Sequence, residues 1–322
     1  MRRKINLLLV AAGLLLWGCG SHRDRANDFE RIVWAVDWSQ DDRIAIGGNQ
    51  GRLRIYEAEP TGRPRTWPVP GTITAVAWHP ERDGLAVAVQ GGETPSFLLR
   101  AGAEQPLPLE GVSPDGARGI GWSPAGDRLA VSDNEGHVLV YDETGKLLSR
   151  RRVDPKATTA LTWHPDGERI DVVGSAWHTY FPATDSLVSR PFRPEATLLL
   201  TADWNPSGDL LALGDYGDRD ATAPPLLQVR TPGDSIVLGY GGGKVEYRSV
   251  RWHPEGSLLA AGADGVYLWD AEGMLIAHVL RDRYIWGVSW SPDGSRLVAT
   301  SGDGSAYLLD RNFNVLRTYR RP

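Results

Sequence analysis

The sequence contains a single cysteine, Cys19, among its 322 residues, so it cannot form an intramolecular disulfide. The fold must therefore be held by its buried core alone, even in an oxidising compartment. The chain also lacks a His-Glu-x-x-His motif, a Gly-x-Ser-x-Gly motif and any cysteine after position 19 that could act as a nucleophile. These absences argue against the hydrolases that such motifs mark. We predict no catalytic residues, no bound metal and no cofactor.

Basic residues are in the minority. The chain has 35 Lys and Arg against 40 Asp and Glu, a net charge of −5 at pH 7. Three of the basic residues lie at positions 2–4, and without them 32 basic residues face 40 acidic ones, a net charge of −8. Proteins that bind nucleic acid carry a basic surface that neutralises phosphates. The sequence therefore predicts no nucleic-acid partner.

The first 19 residues have the organisation of a secretory leader. A basic start at positions 2–4 precedes the apolar run from Ile5 to Trp17, which is too short to span a bilayer as a helix. The run ends at Leu16-Trp17-Gly18-Cys19, which resembles the cleavage box of bacterial lipoprotein signal peptides. This resemblance implies that Cys19 becomes the lipidated first residue of the mature protein. The alternative is an ordinary signal peptide or anchor in which Cys19 is incidental.

The leader also predicts a location. Several acyl chains on one residue attach a protein stably to a membrane, whereas a single chain does not. Gly20, rather than Asp, follows the cysteine, which by the same resemblance implies the outer membrane, facing the periplasm; the inner membrane stays open as an alternative. We predict a signal peptide at 1–19, a short polar tether at 20–31 and one folded domain over 32–322.

The rest of the chain is organised by a phrase that recurs seven times. The clearest copy is Trp290-Ser291-Pro292-Asp293-Gly294, between two apolar runs. Pro presets φ for a turn and Gly accepts a positive φ, so the phrase indicates a tight turn between two strands. The repeat tryptophans are Trp38, Trp78, Trp122, Trp163, Trp204, Trp252 and Trp290. Spacing near 40 residues, with strands and turns inside each unit, is typical of propeller blades.

Turn residues divide each repeat into four strands, here called a to d. In the third repeat the predicted strands are 118–122, 128–132, 137–141 and 146–151. The turns between b, c and d contain Asp, Asn and Gly, as hairpins require. The prediction is an all-β, seven-bladed β-propeller of four-stranded antiparallel blades. We expect the blades to close in phase, without an N-terminal strand added to the last blade.

Several c strands end in an aromatic or apolar residue followed by an acid. The pairs are Tyr56-Glu57, Tyr141-Asp142, Trp269-Asp270 and Leu309-Asp310. Together with the Trp-x-Pro-x-Gly turns, they make residues 32–320 resemble the WD-repeat propeller family. The Gly-His dipeptide that precedes strand a in that family is missing from all seven copies. We therefore expect the buried His–Asp network associated with it to be absent.

Columns of residues before the repeat tryptophan define the predicted central channel. Two positions before it the residues are apolar, and three positions before it all seven are small, as blades that converge on one axis require. The residues four positions before it vary: Trp34, Thr74, Arg118, Thr159, Leu200, Arg248 and Trp286. We predict that this variable column rings the channel mouth on the face with the d–a and b–c loops.

Variation within a repeating scaffold is where function can lie. The predicted partner-binding residues are Trp34, Arg118, Tyr247, Arg248, Tyr284 and Trp286, mostly from neighbouring blades 6, 7 and 1. Aromatic residues with arginine are typical of binding hot spots. We predict Trp34 and Trp286 as exposed anchors and Arg248 as the polar contact. The alternative is that the large residues simply plug the funnel.

Other candidates are weaker. The histidines that follow a repeat tryptophan are His79, His164 and His253. They belong to alternate blades, so we interpret them as turn residues, not as metal ligands. Asp37 and Asp203, each one position before a repeat tryptophan, give little support for chemistry in the channel. Trp177 is predicted to be an exposed aromatic residue near the b–c connection of blade 4.

The combined interpretation is a non-catalytic binding or scaffold propeller, monomeric, held to the cell envelope by a lipid and bound to a protein partner there. Two alternatives stay open. One is an enzyme of the hydrolase, lactonase or lyase type that works in the central channel, and the other is a glycan-binding propeller. The fold alone does not choose between them.

Overall fold

The computed structural model describes residues 31–57, 62–93, 95–103, 105–193, 198–217, 226–240 and 243–320. Within these ranges the chain forms 28 strands in seven four-stranded antiparallel sheets, and each sheet is built from four consecutive strands. The prediction of a seven-bladed, all-β propeller with its blades in phase is confirmed. Cys19, and the tether up to residue 30, lie outside the described residues.

Blades 1 to 4 follow one another along the chain. Blade 1 contains β1 Val33–Trp38, β2 Arg43–Gly48, β3 Arg52–Glu57 and β4 Arg65–Pro68. Blade 2 contains β5 Thr72–Trp78, β6 Gly84–Gln90, β7 Phe97–Arg100 and β8 Leu107–Pro108. Blade 3 contains β9 Ala117–Trp122, β10 Arg128–Asp133, β11 His137–Asp142 and β12 Leu147–Arg152. Blade 4 contains β13 Ala160–Trp163, β14 Ile170–Val173, β15 Trp177–Phe181 and β16 Ser186–Arg190.

Blades 5 to 7 complete the ring. Blade 5 contains β17 Leu199–Trp204, β18 Leu211–Asp215, β19 Leu227–Arg230 and β20 Ile236–Tyr240. Blade 6 contains β21 Ser249–Trp252, β22 Leu258–Ala263, β23 Gly265–Asp270 and β24 Leu275–Val279. Blade 7 contains β25 Ile285–Trp290, β26 Leu297–Ser301, β27 Ala306–Leu309 and β28 Val315–Tyr319. The strands of blade 3 agree with the predicted ranges to within one residue at each end.

The core lies between neighbouring blades. Six of the seven repeat tryptophans are buried, and Trp122 is half-buried. Several indoles reach across to the preceding blade: Trp163 Nε1 donates to Gly121 O at 2.9 Å, and Trp290 Nε1 donates to Arg251 O at 3.1 Å. The repeat tryptophan therefore closes the end of strand a and also joins two blades.

The histidines of the repeat turns join blades in the same way. His253 Nδ1 accepts the N–H of Glu255 in its own turn at 3.1 Å, and its Nε2 lies 3.1 Å from Gly294 O in the turn of the next blade. His79 and His164 make the same pair of contacts. Gly294 has a φ of 67°, and an added Cβ there would lie 2.1 Å from His253 Nε2. The turn position therefore needs glycine for its conformation and for its packing.

The ring closes by side-chain packing between blades 7 and 1. Residues of β1 pack against Val298 and Leu308 of blade 7. Arg296 donates to both carboxylate oxygens of Asp42, at 2.8 and 2.9 Å, and its guanidinium lies 4.9 Å from the ring centre of Trp38. In the described residues, the chain enters blade 1 directly as its innermost strand. Packing of blades 1 and 7 through side chains agrees with the prediction, and whether residues before 31 add a strand to the last blade lies outside the described residues.

The prediction for Trp177 is wrong. Trp177 is the first residue of β15 and only 2% exposed. The b–c connection of blade 4 is so short that Trp177 lies inside the sheet, where its Nε1 donates to Asp171 at 2.6 Å. Asp171 is fully buried and also accepts from Thr179 and Trp204. Burial raises the pKa of this carboxyl, and the three donors oppose that effect.

Candidate functional site

The central channel contains a cavity of about 140 Å³, which we call the upper cavity. All seven residues of the variable column and all seven of the small column line it. The lining includes three arginines, Arg118, Arg248 and Arg251, and no carboxylate. The charge of this end of the channel is therefore positive.

A stack of two indoles and one guanidinium forms one wall of the upper cavity. The ring centres of Trp34 and Trp286 are 4.4 Å apart, and the Arg248 guanidinium carbon lies 3.7 Å from the ring centre of Trp286. Trp34 is half-buried, and its Nε1 donates to Asn49 Oδ1 at 2.6 Å. Blades 1, 6 and 7 thus meet at this wall, as the sequence predicts.

The expectation that Trp286 is exposed is wrong. Its side chain is 4% exposed, because Trp34 and Arg248 cover its ring. Its Nε1 is buried without a hydrogen-bond partner among the described residues. For Trp286 the geometry favours the alternative in which a large residue fills the funnel. Trp34 and Tyr284 remain half-buried.

The charge state of Arg248 depends on two opposing effects, burial and a neighbouring carboxylate. Desolvation by burial lowers its pKa to about 9, and the nearby positive charge of Arg118 acts in the same direction. The carboxylate of Glu246 forms an ion pair with it. A guanidinium next to a carboxylate keeps its proton, so Arg248 is a cation at neutral pH. Its Nε–H has no acceptor among the described residues.

Arg118 differs from the other two arginines. It is half-buried in the wall of the upper cavity, and desolvation lowers its pKa. We find no hydrogen bond or ion pair from its guanidinium to any residue that the structure describes. Arg248 has Glu246, and Arg251 Nη1 lies 3.8 Å from Asp203 Oδ1. Arg118 is the lining arginine whose charge is left uncompensated.

Four of the six predicted binding residues line the cavity, and two do not. Tyr247 is 0% exposed and packs into the core of blades 5 and 6, where its hydroxyl accepts the N–H of Gly243 at 3.1 Å. The expectation that it belongs to an exposed mouth is wrong, because its side chain turns into the interface between these blades. Tyr284 stays near Arg248, whose pKa it influences.

The opposite end of the channel is a second cavity of about 420 Å³, the lower cavity. Its charged lining residues are Asp37, Asp203 and Arg251. Asp37 Oδ2 accepts the N–H of Trp78 at 2.7 Å, and Asp203 Oδ2 accepts the N–H of Trp252 at 2.8 Å. Each carboxylate therefore joins its own blade to the next.

Burial raises the pKa of both carboxyls, Asp37 and Asp203, to about 6, while the charge of Arg251 opposes the shift. The Asp203 side chain keeps 19% of its area exposed to the channel, so solvent moderates the effect. Sequence reasoning missed Arg251. The available signal was its column: it stands one position before a repeat tryptophan, as do the two aspartates.

The described residues contain neither a cluster suited to a metal ion nor a helix suited to a membrane. No three residues of the His, Cys, Asp and Glu types lie close enough together to hold a metal ion. No helix in the described ranges has the length and apolar character needed to cross a bilayer.

Comparison with known proteins agrees with the architecture. The family model described as "WD domain, G-beta repeat" matches residues 238–270 and 272–310. The first match begins in the outer strand of blade 5 and the second just before the outer strand of blade 6, and each runs through strands a to c of the next blade. Residues 238–310 therefore match two WD repeats within the ring of seven blades. WD-repeat propellers mediate protein interactions and act as scaffolds.

Three curated WD-repeat relatives are similar to parts of the chain. Coronin-7 of Mus musculus is 30% identical over 120 residues, 34% of this chain and 13% of that protein. Eukaryotic translation initiation factor 3 subunit I of Candida albicans is 28% identical over 135 residues, 37% of this chain and 38% of that protein. WD repeat-containing protein 1 of Xenopus tropicalis is 43% identical over 68 residues, 19% of this chain and 11% of that protein. The matches thus cover well under two thirds of each relative.

The expectation that a buried His–Asp hydrogen bond is absent is wrong in blade 4, where His178 Nε2 lies 3.0 Å from Asp154 Oδ2 and both side chains are buried. In two other blades an arginine holds the b–c aspartate. The d–a residue Arg193 donates to both carboxylate oxygens of Asp215, at 2.6 and 3.0 Å. In blade 7, Arg283 Nη1 lies 3.4 Å from Asp303 Oδ2. The carboxylate half of the network is therefore present, and arginine stands on the d–a side in these two blades.

Proposed function

We propose that this protein is a non-catalytic, monomeric binding propeller, held to the cell envelope by a lipid on Cys19, that captures a protein partner at the upper channel mouth. One observation carries the proposal. The Trp34–Trp286–Arg248 stack interrupts the scaffold at blades 6, 7 and 1, and half-buried Trp34 and Tyr284 beside it offer aromatic surface. Aromatic residues with arginine are enriched at binding hot spots. No described residue cluster favours the channel-enzyme or glycan-binding alternatives.

The anchor is supported by the sequence. Cys19 is the chain's only cysteine and directly follows an apolar leader. Cys19→Ala should abolish the lipid mass and change the fraction in which the protein sediments. Gly20→Asp is the matched variant: it should keep the lipid and move the protein to the inner membrane. A Cys19→Ala protein with an unchanged lipid mass would contradict the anchor.

Partner capture is tested at the half-buried aromatic residues, because Trp286 belongs to the core. Trp34→Ala and Tyr284→Ala should each lower crosslinked capture of envelope proteins by about tenfold, as hot-spot truncations do. Leu148→Ala, on the exposed outer strand of blade 3, is the control and should capture as the wild type does. Melting temperatures measured in parallel show whether a variant captures less because it lacks a contact with the partner or because it is less stably folded. Unchanged capture in both aromatic variants would contradict a partner-binding site at the upper channel mouth.

A further inference from the structure

We propose that the upper cavity binds a carboxylate, held by Arg118 and Arg248, and that an acidic side chain of the partner supplies it. The identity of the supplier rests on the proposed function; the carboxylate site itself does not. The cavity of about 140 Å³ suits such a group. A cavity of about 150 Å³ in another protein holds a single benzene ring, so this volume accepts one side chain or small ion.

The charge balance of the cavity calls for an anion. Three guanidiniums line it and no carboxylate does. Glu246 pairs with Arg248, and Asp203 faces Arg251, but Arg118 has no counter-charge among the described residues. Arginine cannot shed its proton to escape a desolvated site. A charge taken from water without a partner is costly, and a bound anion removes that cost.

The unused donors point in the same direction. Besides the Arg118 guanidinium, Arg248 Nε and Trp286 Nε1 are buried N–H groups without an acceptor among the described residues. All three belong to the wall of the upper cavity. A buried N–H that lacks an acceptor is rare in native structures. A ligand that only accepts hydrogen bonds, as an ionised carboxylate does, would satisfy such a set.

The donor set suits a carboxylate better than a phosphate. A guanidinium presents two parallel N–H groups that match the two oxygens of one planar carboxylate. Of the four lining hydroxyls, those of Thr74 and Thr159 donate to Ala117 O and Leu199 O, both at 2.7 Å, and those of Thr201 and Ser249 accept a backbone N–H. The uncompensated charge of the lining is the single charge of Arg118. A phosphate dianion would leave part of its charge unmatched.

The test uses the full-length protein in detergent and four probes. These are acetate, inorganic phosphate, the capped peptide acetyl-Gly-Glu-Gly-amide and its Gln counterpart. Binding is followed by the fluorescence of the channel tryptophans and by the shift in melting temperature. The variant is Arg118→Gln, and the matched control is Arg311→Gln, an exposed arginine in the c–d turn of blade 7.

We expect saturable binding of the Glu peptide, no binding of the Gln peptide, and a loss of about tenfold or more in affinity in Arg118→Gln. Arg311→Gln should bind as the wild type does. Without ligand, Arg118→Gln should melt no lower than the wild type, because an uncompensated charge has been removed. Binding of acetate without the Glu peptide would support the carboxylate site and assign it to a free ion.

Three results would overturn the inference. They are the absence of saturable binding by either carboxylate, equal affinity in Arg118→Gln, and binding of phosphate in preference to both carboxylates. Failure of the proposed capture has a different signature. In that case the Glu peptide would bind through Arg118, while Trp34→Ala and Tyr284→Ala would leave envelope capture unchanged.

Discussion

The two ends of the channel use charge in different ways. In the lower cavity, Asp37 and Asp203 each accept a backbone N–H of the next blade, so the carboxylates belong to the packing between blades. In the upper cavity, the Arg118 guanidinium and the Nε–H of Arg248 lack acceptors among the described residues. The lower cavity also has one buried donor without an acceptor among the described residues, Trp78 Nε1, but its charged groups are matched, because Arg251 faces Asp203 and both carboxylates accept an N–H. The contrast between the two ends is therefore one of charge, and the upper end is the one with an uncompensated cation.

The largest effect should come from truncating the wall of the upper cavity. Trp286→Ala removes a side chain that is 4% exposed and packs against Trp34, so we expect a loss of about 3–5 kcal/mol in the free energy of unfolding. Urea denaturation at pH 7 measures it. An exposed Trp286 would instead give only a small loss in the free energy of unfolding.

Trp34→Ala provides the comparison, since Trp34 is half-buried and should cost clearly less. If Trp286→Ala lost under about 1 kcal/mol, as surface substitutions do, the indole would not be a core residue. Trp286 would then belong to the ligand site and not to the core wall of the upper cavity.

The second effect concerns the lower end and depends on pH. The pKa of Asp37 and Asp203 is raised from 3.8 to about 6 in the folded protein. Between these values the folded state binds more protons than the unfolded state, so stability falls as pH rises from about 4 to 6. One pKa unit corresponds to about 1.4 kcal/mol, and partial exposure reduces the effect, so we expect about 1–3 kcal/mol for the pair.

The double variant Asp37→Asn, Asp203→Asn should flatten this dependence. Each asparagine keeps an oxygen that can accept the N–H of Trp78 or Trp252, so the link between blades is retained. Denaturation at pH 4.5, 5.5 and 7 gives the slope. Asp154 and Asp293 have a pKa lowered to about 2, so they titrate below this window. An unchanged slope in the double variant would assign the pH dependence to other groups.

The repeat made the blades predictable. The tryptophan spacing and the Pro and Gly turn residues impose the same local structure seven times, so strands, turns and the small axial column follow from local rules. The three channel-facing columns follow as well, because their positions are counted from the tryptophan. Trp34, Arg118, Arg248 and Trp286 line the cavity for this reason.

Side-chain orientation was not predictable in the same way. Trp286 is covered by Trp34 and Arg248, which come from two other blades. Tyr247 turns into the interface of blades 5 and 6. These contacts depend on pairs that do not repeat, so no periodic pattern reports them. The prediction that Trp177 is exposed was wrong for a local reason: the b–c connection of blade 4 is too short to leave this residue outside the sheet.

A third, smaller loss of stability should follow from removing a hydroxyl that links two neighbouring blades near the upper end. Thr201 Oγ1 accepts the N–H of fully buried Val250 at 3.2 Å. Thr201→Val leaves that N–H unpaired, so we expect a loss of about 1 kcal/mol that does not vary with pH. Thr159→Val is the control, because the Thr159 hydroxyl donates to carbonyls, and an under-satisfied carbonyl is better tolerated than a buried N–H. Equal losses in both variants would contradict the assigned role of Thr201.

The smallest effect should come from Arg251, which lines both cavities. Its charge lowers the pKa of Asp37 and Asp203, so Arg251→Met should raise both further. At pH 4.5 both carboxyls are largely protonated in the folded state, and the variant should be nearly as stable as the wild type. At pH 7.5 they are ionised without their cation, so the variant should be less stable. The difference should stay below about 1 kcal/mol, because the Arg251 side chain is 41% exposed and its ion pair is screened by water.

Arg151→Met is the control, because Arg151 is similarly exposed and lies 3.1 Å from Asp185. Its stability should show no such dependence between pH 4.5 and 7.5. A pH-independent loss in Arg251→Met would mean that the arginine acts through packing, and the lower end would then owe its stability to shape more than to charge.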